Sequence, residues 1–178
     1  AWLRGIERRI AAGLKPDVRS VASIFISRWD KATLDKAPET LRDKLGIAVA
    51  KRTYAAYQEF LNSERVLRVM NQGVFPQRLL WASTGTKDPQ ASDILYVCSL
   101  NAPFTINTMP ENTLLAFGEH GEVGDPLMKN DINPDEIIGE FEKVGFQYQE
   151  LADTLQKEGA IDFVKSWNDL MTTLAQRD

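Results

Sequence analysis

Ser23, Phe25 and Ser27 alternate along the run Ser20-Val21-Ala22-Ser23-Ile24-Phe25-Ile26-Ser27, and Arg28 follows at once. Alternate residues of a strand share a face, so two hydroxyls and an aromatic ring would point one way, with a guanidinium at the strand's C-terminal edge. Such a set can hold an anion, because an arginine fork grips phosphate bidentately and a neighbouring serine adds a hydrogen bond. The plainer alternative is a strand ending in an arginine that pairs with a nearby acid such as Asp30. A second candidate is Ser83-Thr84-Gly85-Thr86-Lys87, between an apolar run and the start of a helical pattern. Its backbone N–H groups and Lys87 could cradle an anion at a helix N-terminus, although an ordinary strand-to-helix turn also accounts for it. The lysine lacks the spacing of a nucleotide-binding P-loop.

Other reactive residue types lead less far. His120, in Glu119-His120-Gly121-Glu122, has two acids beside it but neither a second histidine nor a partnered nucleophile, and it reads as a surface residue at a helix end. Asn107 and Thr108 end an apolar run and could line a mouth between strands; Thr108 also reads as a helix cap. One cysteine, Cys98, excludes an intrachain disulfide framework, and with His120 alone beside it there are too few soft ligands for a tetrahedral zinc site.

The elements that would position these residues alternate. A first strand is predicted over 20–27, continuously apolar and so buried on both faces. A helix follows from about Thr40 to Leu61, then a short one over 64–70 capped by Ser63 and closed by Gly73. The second strand spans 78–83, with Asp88 and Pro89 placed to open the next helix. The third spans 104–107 and leads into a capping-box pattern, Thr108 to Glu111, before a helix over 111–117. From Asn133 onward only helices are expected, with Gly145 and Gly159 ending two of them and Ile161, Val164, Trp167, Met171 and Leu174 forming a core stripe on the last. At the other end, Trp2, Ile6 and Ile10 recur at helical spacing before Gly13, with no cap ahead of them and no initiator methionine, so Ala1 is expected to be a break within a longer chain. Three strand–helix units in 178 residues fall short of the eight strands and roughly 250 residues of a TIM barrel. No repeat or linker marks a second domain.

Composition narrows the partners. A net charge of −4 from interspersed acids and bases leaves no basic stripe for nucleic acid or an anionic membrane. No apolar run reaches the roughly 18 residues of a membrane span, and a cytoplasmic setting is expected.

Several segments together resemble transaldolases, in particular the longer bacterial branch that also occurs fused to phosphoglucose isomerase. The carriers are Ser20 to Asp30, Pro76 to Lys87 and Thr105 to Pro110, extended by Phe117 to Glu122, and the likeness covers nearly the whole chain. It implies the C-terminal part of a single (β/α)8 barrel domain of class I aldolase type, spanning residues 1–178 and truncated upstream. It further implies transfer of a dihydroxyacetone unit from sedoheptulose 7-phosphate to glyceraldehyde 3-phosphate in the pentose phosphate pathway, through a lysine Schiff base and without a cofactor or metal. Carried onto matching positions, Ser23 and Arg28 would bind the substrate phosphate, Phe25 would wall the pocket, and Ser83 would line it at the end of the next strand. Where shorter transaldolases place a second phosphate-binding arginine, this chain has Gly85 and Lys87, so Lys87 is expected to supply the second cation. The Schiff-base lysine would lie upstream of Ala1. Every lysine from Lys15 to Lys165 falls in a polar turn or on a helix, whereas imine chemistry needs a buried strand position. These residues alone would then carry no catalytic group and would be inactive, or would act as a non-catalytic phosphosugar-binding module or a partial-barrel fragment prone to self-association.

Overall fold

The computed structural model describes residues 1–129 and 131–176. Three short strands, β1 (Val21–Phe25), β2 (Arg78–Ala82) and β3 (Thr105–Asn107), lie parallel in that order. Ser23 stands opposite Leu80, which stands opposite Ile106, and Phe25 stands opposite Ala82. Parallel neighbours require crossovers. The first runs through α2 (Ser27–Thr33), a 3-10 turn at Glu39–Leu41, α3 (Leu45–Leu61) and α4 (Glu64–Met70), and the second through α5 (Leu95–Ser99). An N-terminal α1 (Trp2–Ala11) packs on α4, burying Leu3 and Ile6 against Val66 and Val69. After β3 come α6 (Glu111–His120), a second 3-10 turn at Leu127–Lys129, α7 (Pro134–Lys143) and α8 (Tyr148–Ala175).

The sheet has one helix-covered face. Leu79 and Trp81 bury themselves among Ile47, Ala50, Tyr54 and Tyr57 of α3 and Tyr96 and Leu100 around α5. The other face carries Val21 and Ser23, both exposed, and the half-buried Phe25. This corrects the expectation that the first strand is buried on both sides: on the face opposite α3 and α5, α8 reaches β1 at Phe25 through Phe163, while Val21 and Ser23 stay exposed. A second core joins α2, α3 and α7 through Trp29, Leu45, Val49, Ile138 and Phe141, and Tyr148 at the start of α8 stacks on Trp29 with ring centroids 5.4 Å apart.

Several predicted boundaries move. The first strand stops at Phe25, and Ser27 and Arg28 belong to α2, a helix absent from the sequence reading. Trp29, Asp30 and Thr33 give it one buried side, and the Thr33 hydroxyl bonds back to the carbonyls of Trp29 and Asp30. The long helix begins at Leu45 rather than Thr40. Asp88 closes a turn, accepting from the Gln90 N–H at 2.8 Å, and helix forms only from Leu95. Helix α6 continues past Phe117 to His120. Asn133 does cap α7, its side chain accepting from the N–H groups of Asp135 and Glu136 with Pro134 in the first turn, and Gly145 follows the helix at φ +97°. Gly159 does not end a helix but lies inside α8. The stripe expected in the core is exposed, with Trp167 at 61% and Val164 at 62%, and no residue of α8 is buried.

Candidate functional site

At the C-terminal ends of the strands the backbone is tied together beyond the last ladder pair. The Ile26 N–H donates to the Ala82 carbonyl at 2.9 Å and the Ser27 N–H to the Ser83 carbonyl at 3.0 Å. The two side-chain oxygens, Ser27 Oγ and Ser83 Oγ, are 2.8 Å apart. Ser83 holds φ +55°, uncommon for a residue with a Cβ, and this bend brings its carbonyl and its hydroxyl both to Ser27. On the other side, the buried Thr84 hydroxyl lies 2.8 Å from Asn107 Oδ1 and 2.9 Å from the Thr108 carbonyl. The Thr108 hydroxyl donates to the Trp81 carbonyl at 3.1 Å. The predicted capping box is thereby replaced: Thr108 stitches β3 to β2, and α6 starts after Pro110 with no side-chain cap. Asn107 and Thr108 thus order the strand ends.

Arg28 sits in the first turn of α2 with 28% of its side chain exposed. Its guanidinium carbon is 4.9 Å from the centre of the Phe25 ring, a cation–π distance, and Phe25 in turn meets Phe163 of α8 edge to face. Two adjacent cavities share this arginine. One, of about 340 Å³, is lined by Ser23, Phe25, Arg28, Trp29, Gly159 and Phe163 among others. The second, of about 380 Å³, is lined by Ser27, Arg28, Lys31, Ser83, Lys87 and Asp162 among others. The sequence candidates are therefore divided by the guanidinium: Ser23 and Phe25 on one side, Ser83 and Lys87 on the other. The acid paired with Arg28 is Asp162, at 3.4 Å, and not Asp30.

Lys31 and the α8 wall are the residues that sequence reasoning did not place, and Ser27, expected on the strand face with Ser23 and Phe25, stands instead in α2. A helix over 27–33 would have put Ser27, Arg28 and Lys31 on one face through i, i+3 and i+4 spacing, so α2 held the missing signal for Lys31. Asp162, Gly159 and Phe163 reach the site only through tertiary folding, and no local pattern announces them. His120 lies away from both cavities on the surface, 3.0 Å from Asp93. Among the described residues no group of three His, Cys, Asp or Glu is arranged to hold a metal ion.

The chain matches the family model for Transaldolase/Fructose-6-phosphate aldolase over residues 6–174. It belongs to that family. Similar proteins include a transaldolase of Parafrankia sp. (strain EAN1pec), 41% identical over 187 residues, covering 99% of this chain and 50% of the relative. A transaldolase of Thermobifida fusca is 40% identical over 187 residues with the same shares, and one of Mycolicibacterium smegmatis is 40% identical over 180 residues, covering 96% and 48%. The chain spans about half the length of these curated relatives. Three parallel strands with their helices are part of the TIM-barrel aldolase fold of this family, and enzymes on that barrel keep their sites at the C-terminal ends of the strands. Arg28, Ser27, Ser83 and Lys87 gather at that end.

A buried carboxylate holds this transaldolase-family site in place from behind. Asp30, two residues after Arg28, is 3% exposed; both its oxygens lie 3.1 Å from the Gly46 N–H of α3, and the Tyr96 hydroxyl donates to it at 2.7 Å. Burial raises its pKa to about 6, opposed by the Tyr96 and Gly46 hydrogen bonds. Asp30 therefore locks α2 to α3 and α5, and with it the backbone that presents Arg28. Among the described residues no helix is long and apolar enough to cross a membrane.

Proposed function

We propose that these residues supply the phosphate grip and pocket walls of a transaldolase that moves a dihydroxyacetone unit from sedoheptulose 7-phosphate to glyceraldehyde 3-phosphate through a lysine Schiff base. The observation that carries this reading is the cavity that Arg28 and Lys87 line together with the Ser27–Ser83 hydroxyl pair, at the strand end where barrel sites form. Three cations, Arg28, Lys31 and Lys87, and two hydroxyls in one concavity outnumber its two carboxylates, Glu158 and Asp162, and suit a phosphate dianion. Phe25 and Ser23, on the far side of the guanidinium, suit the carbon chain and hydroxyls of a sugar. None of β1, β2 and β3 carries a lysine, so the nucleophile of the proposed reaction belongs to the part of the barrel that these residues do not span. One transaldolase barrel domain, working without a cofactor in the cytoplasm, completes the proposal.

Binding and chemistry are separable by experiment. Titrating the chain with fructose 6-phosphate is expected to show binding that weakens about tenfold in Arg28→Gln, the loss of one charge-assisted contact. Lys87→Met should weaken it by a smaller factor. Equal affinity in wild type and Arg28→Gln would refute the phosphate assignment. Borohydride reduction in the presence of fructose 6-phosphate should leave the chain without a covalent adduct. A mass increase on any lysine between Lys15 and Lys165 would overturn the placement of the nucleophile. The same absence of a strand lysine favours a second reading of the chain by itself, a phosphosugar-binding module that does not turn substrate over.

A further inference from the structure

Arg28 already holds a carboxylate. Among the described residues Asp162 is its one ion-pair partner, reached by a single guanidinium nitrogen at 3.4 Å. Asp162 comes from α8, which crosses the mouth of the site, and one turn earlier Gly159 passes so close that a Cβ there would stand 3.3 Å from Arg28 Nη1. Glycine inside a helix costs up to about 1 kcal/mol relative to alanine. Inside the 28-residue α8 this glycine leaves room beside the guanidinium, whose end is the one neighbour within 4 Å of such a Cβ. Phe163, next to Asp162, closes edge to face on Phe25, the ring beside Arg28. Glu158 and Asp162 line the same cavity as Lys31 and Lys87. A stretch of α8 under two turns long, residues 158–163, thus presents two carboxylates and an aromatic edge to the groups assigned above to the ligand.

We infer that Asp162 is a tethered stand-in for the ligand phosphate, a positioning residue that keeps the Arg28 guanidinium oriented toward the cavity and must be displaced when an anion binds. The inference rests on the proposed reading of Arg28 as the phosphate grip. Its physical basis is competition for one set of N–H donors: a carboxylate and a phosphate oxygen demand the same fork geometry. The latch is weak enough to open. Asp162 is 63% exposed and no residue of α8 is buried, so lifting this stretch breaks few apolar contacts. An exposed pair of this kind favours its closed form by no more than about fivefold, and apparent affinity falls by the fraction of molecules left open. Asp162 therefore lowers anion affinity by a small factor while biasing Arg28 toward the cavity.

Titration of the full chain with inorganic phosphate at low ionic strength tests this with Arg28→Gln and four further variants. Asp162→Asn is expected to bind phosphate about two- to fivefold more tightly than wild type, Asp162→Glu to resemble wild type, and added sodium chloride to narrow the difference as both interactions are screened. Asp162→Ser provides a second neutral variant and should show the same gain, which a merely disruptive substitution would not. In the fourth, Arg28→Gln with Asp162→Asn, affinity should equal that of Arg28→Gln alone, since the coupling runs through the guanidinium. If Arg28→Gln weakens phosphate binding while the neutral Asp162 variants bind no more tightly than wild type, the stand-in role is wrong and the phosphate grip survives. If Arg28→Gln leaves phosphate binding unchanged, or wild type binds none, the reading of the site fails and the inference with it.

Discussion

Gly46→Ala is expected to destabilise the fold by about 3 kcal/mol, although alanine is the better helix former. Gly46 stands in the first turn of α3, where a Cβ would lie 2.5 Å from Asp30 Oδ2, 2.9 Å from the Ile26 carbonyl oxygen and 3.1 Å from Ile26 Cγ2. None of these neighbours can retreat cheaply. The carboxylate is fixed by the Gly46 N–H and the Tyr96 hydroxyl, and the carbonyl is backbone at the junction of β1 and α2. Relief would have to come from moving α2 away from α3, opening the core around Trp29, Leu45 and Val49 and shifting Arg28 with it. Gly139 in α7 is the control, since a Cβ there meets nothing within 4 Å, and Gly139→Ala should gain about 0.5–1 kcal/mol from helix propensity. Urea unfolding of both variants measures the contrast. Equal stabilisation of the two would show that the close approach of Asp30 to α3 does not exist in solution.

The strands were legible because each is a short apolar run bounded by turn residues, and their parallel order follows from the helical patterns between them. Helix α2 is hard to read for a physical reason: of its four buried residues, Ser27, Trp29, Asp30 and Thr33, only Trp29 is a large apolar side chain, so seven residues carry too weak a period to distinguish from a polar connection, and its stability comes from contact with α3. The same omission moved Arg28 from a strand end to a helix start, yet left it at the same edge of the sheet, so its candidate role was readable while its neighbours were not. Gly159 misled in the opposite direction. A glycine in a helical pattern reads as a stop, yet α8 runs straight through it, with Arg28 Nη1 3.3 Å from where a Cβ would stand. Asp30, the acid that the plainer alternative pairs with Arg28, is instead the anchor of the substructure; sequence spacing places it next to the arginine but says nothing of Tyr96, far along the chain, whose hydroxyl it accepts. The apolar stripe of α8 was legible as a stripe, but periodicity specifies only that a face is apolar, not that something covers it.

Asp30 also dictates a pH dependence opposite to that of most paired carboxylates. Its pKa rises from the model-peptide 3.8 to about 6 because burial disfavours the ionised form more than the Tyr96 and Gly46 hydrogen bonds restore it. Between these values the folded chain binds more protons at this group than the unfolded chain, so the slope of unfolding free energy with pH is negative. The stabilisation is complete below about pH 4 and is lost as pH rises through about 6, amounting to about 3 kcal/mol for a shift of roughly two units. Asp43, whose pKa is raised by burial and by Asp88, pushes in the same direction. Glu7, held below the usual carboxylate range by its hydrogen bonds to Arg65, pushes in the other, so the whole-protein profile mixes signs and a difference measurement is needed. Asp30→Asn removes this one proton while retaining a carbonyl acceptor for Gly46 and Tyr96. The stability of wild type minus that of Asp30→Asn should therefore fall as pH is raised from 4.5 to 7.5 and level off above that range. A difference that stays constant across the range, or grows with pH, would mean that Asp30 is ionised at no cost in the fold, and the case for a desolvated carboxylate anchoring α2 behind Arg28 would fail.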